Sequence, residues 1–153
     1  MIKLIADRKR EQAKGNVFYS SNEKGVDTTP ETKSDITIVV AYVQIGFNVE
    51  NMCANQIFGL APISSWINRK MFAPSNTIKC ALRLDEDFDY GTWRIDKGNE
   101  WKYYFDSDTD WFCVGNPDIS TETININFID NAIATLDMSG ELRALWLKLD
   151  IKC

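Results

Sequence analysis

A chain of 153 residues, 44% hydrophobic and 25% charged, has the size and composition of one folded domain with a core of its own, not of a disordered segment. It contains no histidine, which excludes Ser-His-Asp and Cys-His catalysis, HExxH zinc sites and imidazole proton shuttles. A formal charge of −5 argues against a general nucleic-acid binder, whose footprint is basic.

Residues 1–15 hold Lys3, Arg8, Lys9, Arg10 and Lys14 around a short apolar patch, without the apolar run of a secretory signal. The chain is therefore expected to be cytoplasmic. LIADRKREQAKG (4–15) predicts a short helix closed by Gly15, its basic residues interspersed with Asp7 and Glu11 as on a solvated face. Residues 20–35 are rich in Ser, Thr, Asn, Gly and Pro and read as an exposed loop. ITIVVAYVQIGF (36–47) is apolar on both alternating faces, the pattern of a central strand covered on both sides, and it is far shorter than the roughly 20 residues of a spanning helix. NVENMCANQIFG (48–59) fits a strand or a short helix, and SSWINRKMF (64–72) predicts a short helix before Pro74.

From residue 77 to 151 short apolar segments alternate with turn residues, as in an antiparallel meander. The expected architecture is one α+β domain spanning 1–153, a mainly antiparallel sheet with one or two short helices packed on it. Cysteines at 53, 80, 113 and 153 show no CxxC spacing and are expected to be reduced, and no phosphate-binding glycine loop occurs. Trp146 alternates away from Leu145, Leu147 and Leu149 and is expected to pack on the opposite face.

The densest stretch is EWKYYFDSDTDWF (100–112). If Lys97, Gly98 and Asn99 form a hairpin loop and residues 106–110 the next, one face gathers Trp93, Ile95, Trp101, Tyr103, Phe105, Trp111 and Cys113 as core. The other face carries Thr92, Arg94, Lys102, Tyr104, Phe112 and Val114. The same pairing places DEDFDYG (85–91) beside DSDTD (106–110), so that Asp85, Glu86, Asp87, Asp89, Asp106, Asp108 and Asp110 converge. Charge is polarised in the same sense, with nine Lys/Arg and seven Asp/Glu in residues 1–76 against eight and fifteen in 77–153.

Such a cluster destabilises the folded state by self-repulsion unless a partner relieves it. An EF-hand is excluded because Trp111 stands where the loop needs Gly and Pro117 where it needs Glu. A looser Ca²⁺ or Mg²⁺ site, or a carboxylate pair for general acid–base work, remains the alternative. Protein recognition accounts for both features: acidic loops steer a basic partner, and aromatics such as Tyr104, Phe112, Phe88 and Tyr90 anchor it. A small acidic chain with acidic turns and a final hairpin LDMSGELRALWLKL resembles the bacterial immunity proteins that neutralise toxins, including those of contact-dependent inhibition. What the resemblance implies is a stoichiometric inhibitor binding a toxin nuclease or similar enzyme domain. The expected function is thus that of a binding protein, not an enzyme, and the acidic loops with their aromatics make Asp85, Glu86, Asp87, Asp89, Tyr104, Asp106, Asp108, Asp110 and Phe112 the expected residues for holding a basic partner. No cofactor, direct nucleic-acid contact or membrane association is expected.

Overall fold

The computed structural model describes residues 2–95, 98–118 and 122–152. In chain order its strands are β1 (Leu4–Asp7), β2 (Asn16–Ser20), β3 (Gly25–Thr29), β4 (Ile36–Val40), β5 (Val43–Phe47), β6 (Ala54–Leu60), β7 (Trp66–Asn68), β8 (Ile78–Lys79), β9 (Ala81–Leu84), β10 (Gly91–Arg94), β11 (Tyr103–Asp106), β12 (Trp111–Gly115), β13 (Thr123–Ile129), β14 (Ala132–Asp137), β15 (Leu142–Lys148) and β16 (Asp150–Lys152). Two isolated 3-10 turns, Ile63–Ser65 and Gly98–Glu100, are the helical elements among the described residues. The α+β expectation is thus corrected: the fold is nearly all β.

Strands β10-β4-β5-β6-β3-β2-β16 form one seven-stranded sheet, β7-β11-β12-β15-β14-β13-β8 a second, and β1 pairs with β9 in a short third. Both large sheets have an antiparallel centre and a parallel strand at each edge. Those edges are short, β8 having two residues and β7 and β16 three, which limits the unpaired backbone they expose. Between the sheets lies one core, with Val17, Ile38, Ile45 and Ile57 from the first and Phe112, Val114, Phe128 and Leu145 from the second fully buried. Each such side chain contributes roughly 1.5–3 kcal/mol relative to exposure. A single residue, Leu149, separates β15 in one sheet from β16 in the other, so the chain itself ties the layers together.

Polar side chains complete the tie. Asn131, in the turn between β13 and β14, accepts from the Val17 amide at 2.8 Å and donates to the carbonyls of Val17 (2.6 Å) and Lys148 (2.7 Å), spanning both sheets. Buried Asn127, at an irregularity in β13, donates to Ile129 O and Ala132 O at 2.8 Å each and accepts from Gln12 Nε2 at 2.6 Å.

The helices expected at 4–15 and 64–72 give way to long-range pairing. In the first, Leu4 and Ala6 turn toward the core while Ile5 and Asp7 turn away, and antiparallel register with Leu84 and Leu82 outweighs local helix propensity. The second lies where the chain must travel from β7, at one edge of its sheet, to β8 at the other. Six inter-strand spacings are about 29 Å, nearly the reach of an extended ten-residue segment, whereas nine helical residues span only about 14 Å. Residues 69–77 therefore form a strap over the outer face, where Met71 caps a small cluster of Cys113, Ile133, Ala144 and Trp146. Trp146 packs on this opposite face, as its alternation predicts.

Residues 36–47 are two strands, not one: Val40 pairs with Val43 around a tight turn in which Ala41 has φ +59°. Part of the expected 20–35 loop is strand β3, with Val26 and Thr28 buried, and 48–59 resolves as a turn followed by β6. Cys53, Cys80 and Cys113 are free and buried; Cys153 lies outside the described residues. Burial raises all three thiol pKa values, that of Cys113 most strongly.

Candidate functional site

The 100–112 stretch folds differently from its expected register. β10 pairs in parallel with β4 of the first sheet and β11 with β12 of the second, so Trp93 does not oppose Tyr103. Residue 97 of the expected 97–99 turn lies outside the described residues. In the β11–β12 hairpin Phe105 opposes Phe112 and Asp106 opposes Trp111, one position away from the register predicted. A one-residue slip exchanges the faces of β12. Phe112, expected at the surface, is fully buried, while Trp111 and Cys113 pack on the outer cluster beneath the strap. Trp66 fills the place assigned to Trp111, its ring centroid 5.0 Å from Tyr19, 4.8 Å from Phe105 and 5.2 Å from Phe112.

The slip has a local cause in Asp106. Its Oδ1 accepts from the Asp108 amide and its Oδ2 from the Met71 amide, each at 3.0 Å, and its carbonyl accepts from the Asp110 amide at 2.8 Å. Asp110 at φ +66° then closes a four-residue turn. The Met71 N–H foremost, with those of the turn, holds the Asp106 carboxyl below its ordinary range. This buried carboxylate fastens strap to turn and is not available as a contact surface.

Nor do the two acidic loops converge. The 106–110 turn is fixed at the Lys148 end of β15, where Trp111 pairs with Lys148 and the Leu149 amide reaches Asp110 O at 2.9 Å. The Asp85 amide donates to Lys3 O at 3.0 Å, and the Leu4 amide to Gly140 O at 2.8 Å, which ties the 85–89 loop to the turn preceding Leu142. The length of β15, about 20 Å, separates the two anchors. Asp85, Glu86, Asp87, Asp89, Asp108 and Asp110 are exposed, and none forms an ion pair within 4.0 Å among the described residues. Tyr104 is half-buried beneath the Arg69 guanidinium, 5.7 Å from its ring centroid. Phe88 packs edge-on against Trp93 and Tyr90 is exposed.

What the fold does assemble is an apolar cleft of about 440 Å³ where the sheets meet, lined by Ala41, Tyr42, Leu60, Pro62, Ser65, Trp101, Lys102 and Tyr103. Its floor is built by Tyr103, whose hydroxyl accepts from the Tyr42 amide and donates to Leu60 O, each at 3.0 Å. Burial, against a smaller opposing effect of the Tyr42 N–H, raises the Tyr103 pKa, so the phenol stays neutral at physiological pH. Gly59, at φ +133°, lets β6 pass against this turn, since a Cβ there would meet the Tyr42 carbonyl oxygen. Arg94 donates to Ala41 O at 2.7 Å and braces the turn from the other side. On this frame Tyr42, Leu60 and Ile63 remain 64%, 57% and 53% exposed. Apolar walls with few free polar groups describe a surface that gains by being covered.

Trp101 and Lys102 also border a wider polar cleft of about 680 Å³ that contains Glu100, Asp118, Asp137 and Arg143. Its two aspartates are engaged. Arg69 holds Asp118 in two hydrogen bonds of 2.8 Å. Burial raises the Asp137 pKa, but Ser139, the Glu141 amide and Arg143 outweigh it and bring the carboxyl down to about 2. Because the folded value lies below the ordinary 3.8, the stabilisation is complete above about pH 4 and is lost as pH falls through 2. Asp137→Asn is expected to cost about 2 kcal/mol at pH 7, with the deficit closing toward pH 2, measured by urea unfolding across that range.

Among the described residues no group of three or more His, Cys, Asp or Glu side chains is placed to hold a metal ion, and no helix is long and apolar enough to cross a membrane. The cleft is not legible in the sequence because its walls come from three separate segments. The only local signal was GLAPI (59–63), apolar residues around a proline without strand alternation. No protein-family model matches this chain, and no curated protein matches it.

Proposed function

We propose that the chain acts by binding another protein, in the manner of an immunity-type inhibitor, and that the contact is anchored in the Tyr42–Leu60–Trp101 cleft. The observation that carries this is the exposure of Tyr42, Leu60 and Ile63 around a rigid apolar cleft. A partner's large apolar side chain entering it would be desolvated on all sides, the condition under which a few residues supply most of the binding energy. The exposed carboxylates of the 85–89 and 108–110 loops, with the net charge of −5, steer a basic partner such as a toxin nuclease domain from two separate places instead of forming one acidic pole.

Anchoring and steering have different kinetic signatures. Leu60→Asp is expected to weaken binding to the partner recovered with the wild-type chain by about 30-fold or more, through faster dissociation. Changing Asp87, Asp108 and Asp110 together to Asn should slow association and flatten its salt dependence while leaving dissociation nearly unchanged. Surface plasmon resonance measures both; an unchanged dissociation rate for Leu60→Asp would refute the anchor.

A further inference from the structure

The basic run after β1, expected as one face of a helix, is folded back on the turn that precedes β6. Between them lies a third cleft, of about 550 Å³, bordered by Lys9, Arg10, Asn48, Asn51 and Cys53, with Glu11 the one acid among its described lining residues. Its polar atoms are predominantly donors, and local hydrogen bonding makes them so. Asn48 Oδ1 accepts from the Glu50 amide at 2.7 Å and Asn51 Oδ1 from the Cys53 amide at 2.9 Å. Each side-chain amide thereby spends its acceptor on its own turn and keeps its NH₂ uncommitted.

The cations here exceed their partners. Arg10 Nε and Arg83 Nε both rely on one oxygen of Asp7, at 3.5 and 3.6 Å, too long for good hydrogen bonds. Arg83 Nε is buried without a hydrogen-bond partner among the described residues. Arg10 and Arg83 thus share Asp7, and along the cleft itself Lys9 and Arg10 face the single acid Glu11, a local positive excess on a chain whose net charge is −5.

A group that brings only acceptor oxygens and negative charge satisfies such a site, and a tetrahedral oxyanion offers acceptors in the divergent directions from which these donors come. We infer that this cleft binds a phosphate group, free or as a small phosphate monoester. The surrounding net negative charge disfavours a long polyanion, while a single phosphate enters the local basic pocket. This site is separate from the apolar cleft, and neither depends on the other.

The test is a ¹⁵N NMR titration of the full chain with inorganic phosphate and, separately, glycerol 3-phosphate, ionic strength being held constant with chloride. Saturable shifts of the Asn48 and Asn51 side-chain amides and of Arg10 Nε are expected, and the ligand that saturates at lower concentration identifies the source. Lys9→Gln with Arg10→Gln, both at exposed positions, should raise the half-saturation concentration about tenfold or more with the fold's spectrum preserved. Non-saturating shifts that chloride reproduces, or equal affinity in the double variant, would overturn the site.

Discussion

Phe112→Ala is expected to lower the free energy of unfolding by roughly 3–5 kcal/mol, measured by urea denaturation. The ring is fully buried, with centroids 5.2 Å from Trp66 and 5.3 Å from Tyr103. Truncating it removes the transfer energy of a large aromatic and opens a cavity at the point where β7, β11 and β12 meet. Had β12 kept the register expected from sequence, Phe112 would lie on the outward face and the same change would cost about 0.5 kcal/mol or less. Trp111→Ala is the internal comparison, because that side chain is half-buried in the smaller outer cluster. A loss at position 111 larger than at 112 would show that the hairpin register is not the one described.

Asn127→Ala should be nearly as damaging, costing about 3 kcal/mol. The side chain's Nδ2 is shared among the carbonyls of Ile129, Asp130 and Ala132, and its Oδ1 holds the Gln12 amide. Alanine takes the donor from these carbonyls in a volume too small to rehydrate freely and leaves Gln12 Nε2 only its bond to the Asn127 main-chain carbonyl. Asn127→Asp, almost isosteric, is expected to lose at least as much, since it replaces the Nδ2 donor with a carboxylate oxygen facing the carbonyl oxygens of Ile129 and Ala132. A double-mutant cycle with Gln12→Ala should show coupling of about 1 kcal/mol, because the two side chains form one network across 115 positions of sequence. Additive losses would mean that Gln12 and Asn127 act independently.

These two positions mark what the sequence reveals and where it stops. The β character of residues 77–151, the hairpins β11–β12 and β13–β14–β15, and the inward turn of Tyr103 and Phe105 follow from alternation. Alternation does not decide the register of β12. There the side chain of Asp106, bonded to Met71 35 positions away, sets the turn length. The helices expected at 4–15 and 64–72 rest on local composition, which the pairing of β1 with β9 and the span of the strap override. The acidic pole required β10 and β11 to be neighbours; the chain places them in different sheets, so the loops that follow from that pairing separate with it. The apolar cleft has no counterpart in any contiguous stretch, because Tyr42, Leu60 and Trp101 meet only when both sheets are in place.

Separating the roles also clarifies why the carboxylates expected to act together differ so much. Asp106 is a buried fastening between strap and turn, Asp85, Glu86, Asp87 and Asp89 are exposed on a loop tied to the other end of the sheet, and Asp108 and Asp110 project from the end of a hairpin. Only the exposed carboxylates of the two loops can contribute to a long-range field without first breaking the fold.

Hydrogen exchange of the chain alone and with its purified partner tests the recognition surface most directly, because backbone amides report contact without altering any side chain. The account predicts that protection on binding concentrates at residues 41–43, 60–65 and 101–103. Protection confined to residues 85–90 and 106–110, with the cleft exchanging as in the free chain, would contradict it.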